Sequence, residues 1–163
     1  MYKSTDVATQ CSLRGCLGYY SMINAHVDND NNTIVYAPNA PAVLADTEGN
    51  VTIPAEANGY NIVTIPAYAF NGTKISGVTL PASLVDYQDN AFAGCASLDT
   101  ITSLRQSPVA IPDSTFSMAH YEHAMLFVPE GSIDVYKTTD GWKNFGNIYE
   151  IGAVIIEDRK SVV

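Results

Sequence analysis

Residues 63–101 read VTIPAYAFNGTKISGVTLPASLVDYQDNAFAGCASLDTI, and within this stretch the same order of residues comes round twice. A four-residue unit of β-formers closed by proline appears at Val63-Thr64-Ile65-Pro66 and again at Val78-Thr79-Leu80-Pro81. Outside the stretch it recurs at Val51-Thr52-Ile53-Pro54, Val109-Ala110-Ile111-Pro112 and Leu126-Phe127-Val128-Pro129. In each unit the first and third residues are apolar and fall on one face, as a half-buried strand requires. Proline then ends the pairing, because it has no N–H to donate. All five units are expected to be equivalent strands.

A phenylalanine turn alternates with these units. Ala69-Phe70-Asn71-Gly72, Ala91-Phe92-Ala93-Gly94-Cys95 and Thr115-Phe116-Ser117 place Phe92 22 residues after Phe70, and Phe116 24 residues after Phe92. After each Phe an apolar pair returns: Val78 and Leu80, Leu98 and Ile101, Leu126 and Val128. A period of this length marks a repeat array, in which no unit buries its apolar face alone and neighbours must stack. Phe70, Phe92 and Phe116 are therefore expected to form an internal ladder.

The segments IPAYAFNGTKISGVTLP and DNAFAGCASLDTI are similar to the BspA-like leucine-rich repeat, whose units run Ile-Pro, Ala-Phe, Gly-Cys, Leu, Ile. VTIPAEANGYNIVTIPAYAF resembles an opening unit of such arrays, and LFVPEGSIDVYKTTDGWKNFGNIYEI resembles their closing segment in anaerobic gut and oral bacteria. The resemblance covers about Val51 to Ile151. The chain departs from the pattern where Asn71-Gly72-Thr73 and Ser117-Met118-Ala119-His120 replace Gly-Cys, which implies local repacking. The expected fold is mainly β: a short right-handed leucine-rich-repeat solenoid of about three coils with a small C-terminal helical cap. Residues 51–151 form the solenoid and its cap, residues 1–50 an N-terminal cap or irregular segment, and residues 152–163 a tail.

Both ends of the array carry expectations of their own. Ser132 is read as the N-cap of a short helix over Ser132 to Thr138 that Asp140-Gly141 stops. Trp142 and Phe145 then cover the last coil, and Ile148 to Ile151 adds an edge strand. Upstream, Thr33 to Tyr36 and Ala42 to Ala45 are strand candidates, and Asp28-Asn29-Asp30-Asn31-Asn32-Thr33 is an Asn/Asp-rich turn. As a calcium loop that segment lacks both the central glycine and the terminal glutamate.

The composition excludes several classes. In 163 residues, 47% are apolar and 15% charged, so the chain is neither disordered nor transmembrane in character. A net charge of −9, with eight scattered Lys and Arg, offers no basic stripe for nucleic acid or an anionic membrane. No signal peptide is expected: the N-terminus is polar, and Leu13-Arg14-Gly15-Cys16 has Arg14 where a lipoprotein box needs a small residue. Cys95 reads as a small core residue, whereas Cys11 and Cys16 form a local disulfide or stay reduced.

Nothing in the sequence argues for catalysis: no Gly-x-Ser-x-Gly, P-loop or Gly-x-Gly-x-x-Gly occurs. His120-Tyr121-Glu122-His123 lacks a third metal ligand at suitable spacing, with His26 distant, and reads as an exposed loop. Neither metal nor cofactor is expected. The family resemblance implies a cell-surface or secreted interaction module, involved in adhesion to a protein partner. The alternative is a glycan-binding or accessory domain, for which Tyr19, Tyr20, Tyr60, Tyr87 and Tyr121 are candidate aromatics. Strand alternation sends Val78 and Leu80 inward and Thr79 outward. The matching outward residues are Thr102 and Phe127, and these three form the candidate binding row on the expected concave face. An exposed Phe127 suits a binding surface.

Overall fold

The computed structural model describes residues 25–28, 33–36, 47–57, 60–156 and 161–162, with side chains over 47–56 and 61–154. In chain order the elements are β1 (Ala25–Asp28), β2 (Thr33–Tyr36), β3 (Glu48–Thr52), β4 (Glu56–Ala57), β5 (Tyr60–Ile62), β6 (Thr64–Ile65), β7 (Lys74–Leu80), β8 (Asp86–Tyr87) and β9 (Thr100–Ser103). Then follow helix α1 (Met118–His123), β10 (Met125–Val128), helix α2 (Ile133–Tyr136), a 3-10 turn at Trp142–Asn144, β11 (Asn147–Glu150), β12 (Ile155–Ile156) and β13 (Ser161–Val162). The described chain is thus mostly strand, with few and short helices.

A five-stranded sheet in the order β11-β10-β9-β7-β3 dominates, and every pairing in it is parallel. Parallel neighbours cannot be joined by a tight hairpin, so the chain must leave the sheet after each strand and return a full repeat later. On its way round it passes β6 and β8, which pair with each other in parallel as a second, two-stranded sheet. The five proline-closed units are therefore not equivalent. Val51–Pro54, Val78–Pro81 and Leu126–Pro129 supply strands of the main sheet. Val63–Pro66 contributes β6 of the second sheet, and Val109–Pro112 forms no strand, although the Ile111 N–H donates to the Asp140 carbonyl at 3.1 Å. The units are alike in sequence, but those of the main sheet bury alternate residues, whereas Val63–Pro66 buries Thr64, Ile65 and Pro66 in succession.

The phenylalanine ladder is present as expected. Phe70 and Phe92 stack at 4.9 Å with rings 12° apart, and Phe92 and Phe116 at 5.1 Å and 8°. Backbone bonds tie successive turns beside the rings: Phe70 N–H donates to Ala91 and Phe92 N–H to Thr115, both at 2.9 Å. Val51, Ile53, Ile75, Val78, Leu80, Leu98, Ile101, Leu126 and Val128 close the core from the sheet side. At the corner after the strands, side chains bond back to the preceding unit: Ser83 Oγ to the Ile62 carbonyl at 2.6 Å, and Arg105 Nη1 to the Ala82 carbonyl at 2.6 Å.

At the last repeat the ladder changes geometry. Phe145 meets Phe116 edge-on at 5.3 Å and 72°, and Trp142 is buried between Phe116, Tyr87 and Tyr136 with its Nε1–H donating to the Val109 carbonyl at 2.8 Å. Gly141 is required here: at φ 80° it lies in the left-handed region, and a Cβ would collide with the Ile111 backbone. Ser132 does not cap α2. Its backbone is already helical, with φ −99° and ψ −6°, and its hydroxyl donates instead to the Gln106 carbonyl at 3.0 Å. A hydroxyl can donate and accept at once, so the bond to Gln106 does not by itself exclude capping. Ser132 lacks the extended backbone of a capping residue, and no first-turn N–H reaches its Oγ. The helix is accordingly shorter than expected.

β2 coincides with the expected strand at Thr33 to Tyr36 and pairs antiparallel with β1, with Asp28 opposite Thr33; residues 29–32 of the expected Asn/Asp-rich turn lie outside the described residues. With β5 and β4 these strands form a four-stranded sheet. Ala42 to Ala45, Cys11 and Cys16 lie outside the described residues. The segment 152–163, expected as a tail, contains the antiparallel pair β12–β13.

Replacing Phe92, which has a ring on each face, with Ala removes both stacking contacts. Chemical denaturation should show a loss of about 3–5 kcal/mol. An unchanged midpoint would show that the ladder does not hold the repeats together.

Candidate functional site

The outward face of the main sheet is set by register. Thr52 pairs with Thr79, Thr79 with Thr102, Thr102 with Phe127, and Phe127 with Tyr149, so these five residues form one continuous row across all five strands. The candidates Thr79, Thr102 and Phe127 are thus brought side by side. Thr79 and Thr102 are half-buried. Phe127 is also half-buried rather than exposed, because the Tyr149 ring lies against it at 5.8 Å and 42°. The sequence reading had placed Tyr149 in an edge strand, and pairing β11 beside β10 in register carries it into the row.

A second row runs two residues upstream: Asn50, Gly77, Thr100, Met125 and Asn147. The register of β3 slips between Gly49 and Asn50, which leaves Ser76 unpaired as a bulge and brings Asn50 opposite Gly77. Asn50 Oδ1 lies across Gly77, and a Cβ at that position would collide with it. The two rows enclose a shallow cleft of about 200 Å³ lined by Asn50, Gly77, Val78, Thr79, Thr100 and Thr102.

The repeat signal is matched independently. Residues 50–136 match the family described as the BspA type leucine rich repeat region (6 copies). The chain belongs to this family. A crystal structure of a leucine-rich repeat protein from Bacteroides capillosus is similar over 82% of this chain and 99% of that one, with 22% identity and a TM-score of 0.49. No curated protein matches the chain.

Within this BspA type repeat, the position after the Phe turn is filled differently in each unit, and the structure shows how each filling works. Thr73 Oγ1 donates to the Phe70 carbonyl at 2.8 Å, and Cys95 Sγ reaches the same oxygen at 2.9 Å. One unit later, His120 Nε2 bonds the Cys95 carbonyl at 2.8 Å. A carbonyl only accepts, so Nε2 carries the proton and Nδ1 is bare; it receives the Ser117 N–H at 3.1 Å. Thr73 thus closes its own turn, whereas Cys95 and His120 each bond a carbonyl of the preceding unit. Burial pushes the Cys95 thiol up to about 11, partly offset by its bond to Thr73, which keeps it protonated and inert.

His120 and Tyr121 were expected in an exposed loop. They are buried on α1, whose N-terminus Ser117 caps by accepting the His120 N–H. The reading missed this helix because His is not an expected partner in a capping box, which ordinarily pairs Ser or Thr with Glu or Gln. His123 and Glu122 remain exposed at 3.7 Å from each other. Among the described residues no cluster of three or more His, Cys, Asp or Glu could hold a metal ion. Likewise, no helix among them is long and apolar enough to cross a membrane. Of the candidate aromatics, Tyr87 and Tyr121 are buried and offer no face to a ligand; burial pushes the Tyr121 hydroxyl up to about 12. Tyr19 and Tyr20, and the side chains of Tyr60 and His26, lie outside the described residues.

Burial holds the His120 imidazole below its ordinary value of 6.5, with the Cys95 carbonyl offsetting part of the effect. The unfolded chain therefore binds a proton that the folded one resists, and stability must fall as pH drops below about 6.5 toward the lower folded value. Urea midpoints measured between pH 7.5 and 5.5 should decline with acidification, and His120→Gln should flatten that decline. An equal slope in the variant would show that His120 does not titrate with unfolding.

Proposed function

We propose that this chain is a non-catalytic interaction module of a bacterial surface or secreted protein, an adhesive unit that holds a protein or glycan partner on the outward face of its main sheet. In this reading the repeats form a right-handed solenoid whose outward face is concave, and α2, Trp142 and Phe145 close its last coil as a cap. The observation that carries the proposal is the in-register row of Thr79, Thr102 and Phe127, extended by Tyr149. Its inward neighbours Val78, Leu80, Leu126 and Val128 are fixed by the core, whereas the outward residues answer to no packing demand. Their sequence is free to fit a partner. Family membership supports the surface or secreted location in this reading.

Capture of partners from host extracellular matrix, run beside a glycan array, tests the working face. Thr79→Lys and Thr102→Glu are expected to abolish capture while leaving the melting temperature near that of the parent. Capture equal to the parent would place the working surface elsewhere, such as around His123. The cap is tested separately: a 1–128 fragment lacks Trp142 and Phe145 and should aggregate or fail to fold. A soluble fragment that unfolds cooperatively would remove the cap from this reading.

A further inference from the structure

The two outward rows share a property that neither composition nor repeat pattern imposes. None of their residues is charged, although the chain carries a net charge of −9. Charges lie outside the two rows but border them: Glu48 and Lys74 begin β3 and β7, Glu150 follows Tyr149, and Asp99, just before β9, accepts the Thr100 hydroxyl at 2.9 Å. We propose that this face binds a neutral oligosaccharide, with Phe127 and Tyr149 as its stacking platform and Asn50, Thr79, Thr100 and Thr102 as its hydrogen-bonding partners. The proposal rests on the outward face being the working surface and names the class of molecule it holds.

Charge selects against the other classes. The two rows themselves offer an acidic polysaccharide no cation and a basic partner no carboxylate, and the chain as a whole repels an acidic one. Lys74 stands beyond the second row opposite Glu48, and Asp99 at that row's edge holds the Thr100 hydroxyl. What remains is hydroxyl, amide and aromatic surface. A pyranose presents hydroxyls around its edge and apolar C–H groups on its faces, so it needs donors and acceptors on one side and an aromatic plane on the other. The sheet supplies both, and in order. The cleft over Gly77 is rimmed by the Asn50 amide and the threonine hydroxyls. Moving to the next strands, about 4.8 Å apart in a sheet, the surface changes to the Phe127 and Tyr149 rings. Those rings are tilted by 42° instead of closing flat on each other, which leaves aromatic surface open to a third ring. A linear sugar chain lying across the strands meets the hydroxyl rim first and the aromatic step next. A protein side chain would find no apolar pocket in the cleft, since its one large apolar lining residue, Val78, points into the core.

The test titrates the full chain, by calorimetry and by amide chemical shift, with cellohexaose, xylohexaose, mannohexaose and maltohexaose. Oligogalacturonate and a heparin oligosaccharide serve as acidic counterparts. At least one neutral probe should bind and shift the amides of Thr79, Thr102 and Tyr149. Tyr149→Ala should weaken it about tenfold, the size expected for loss of one aromatic contact. Thr102→Val, which keeps both shape and strand preference, should weaken it too, so the result does not depend on one variant folding well. The proposal is overturned if no neutral probe binds, if acidic probes bind better, or if both variants bind as the parent does. Should no sugar bind while a captured protein is lost in Thr79→Lys, the glycan assignment falls and the working face stands.

Discussion

The rise from one repeat to the next is set by two ladders that must agree. Adjacent strands in a sheet lie about 4.8 Å apart. The Phe70–Phe92 and Phe92–Phe116 centroids are 4.9 and 5.1 Å apart with nearly parallel planes. Near-parallel rings at this separation fit the offset stack that aromatic pairs prefer. Backbone hydrogen bonds on the sheet side and at the Phe turns tie successive units at the same spacing. The rings and the strands therefore ask for the same rise. At the position after the turn, Thr73, Cys95 and His120 differ in chemistry, yet each bonds a carbonyl of a turn.

After Phe116 the ladder changes geometry. Phe145 meets Phe116 edge-on, and Trp142 and Tyr121 approach the same ring at steep angles. The larger spacing to the last unit, filled by α1, α2 and the turn at Trp142, provides the room for that rotation. Gly141 is the pivot: its left-handed backbone and close approach to Ile111 let the chain fold Trp142 back under β8.

The repeat was legible because its determinants are local and recur: alternation, proline, and a Phe at near-constant spacing. The inward and outward assignment of Val78, Thr79 and Leu80 followed from strand alternation alone. What stayed hidden depended on partners remote in sequence. Whether Val63–Pro66 joins the main sheet or the second one is decided by β8, not by its own residues. Ser132 looks like a cap until its helical backbone and its bond to the Gln106 carbonyl are seen. His120 looks like a loop ligand until the Cys95 carbonyl and the Ser117 N–H are found to occupy both its nitrogens. At the candidate site, Phe127 could be placed by alternation, but Tyr149 could not, because its place in the row depends on the register of a closing strand that lies outside the repeat.

The outward face repeats less faithfully than the core. Most inward positions are Val, Ile or Leu; the exceptions are Ser103, whose hydroxyl bonds the buried Tyr136 hydroxyl at 2.6 Å, and Glu150 on the edge strand β11. Outward, threonine holds β3, β7 and β9, and strand preference and solubility would be served equally well by threonine on β10 and β11. Phe127 and Tyr149 stand there instead. Each shields part of the other, yet both remain partly open to water, so their mutual contact recovers only part of the cost of exposing two aromatic rings. The strands beneath them need no such contact, being fixed by Leu126, Val128 and Ile148 in the core. The fold does not require this aromatic pair beside the cleft over Gly77, and it is the part of the outward face that the proposed ligand would account for.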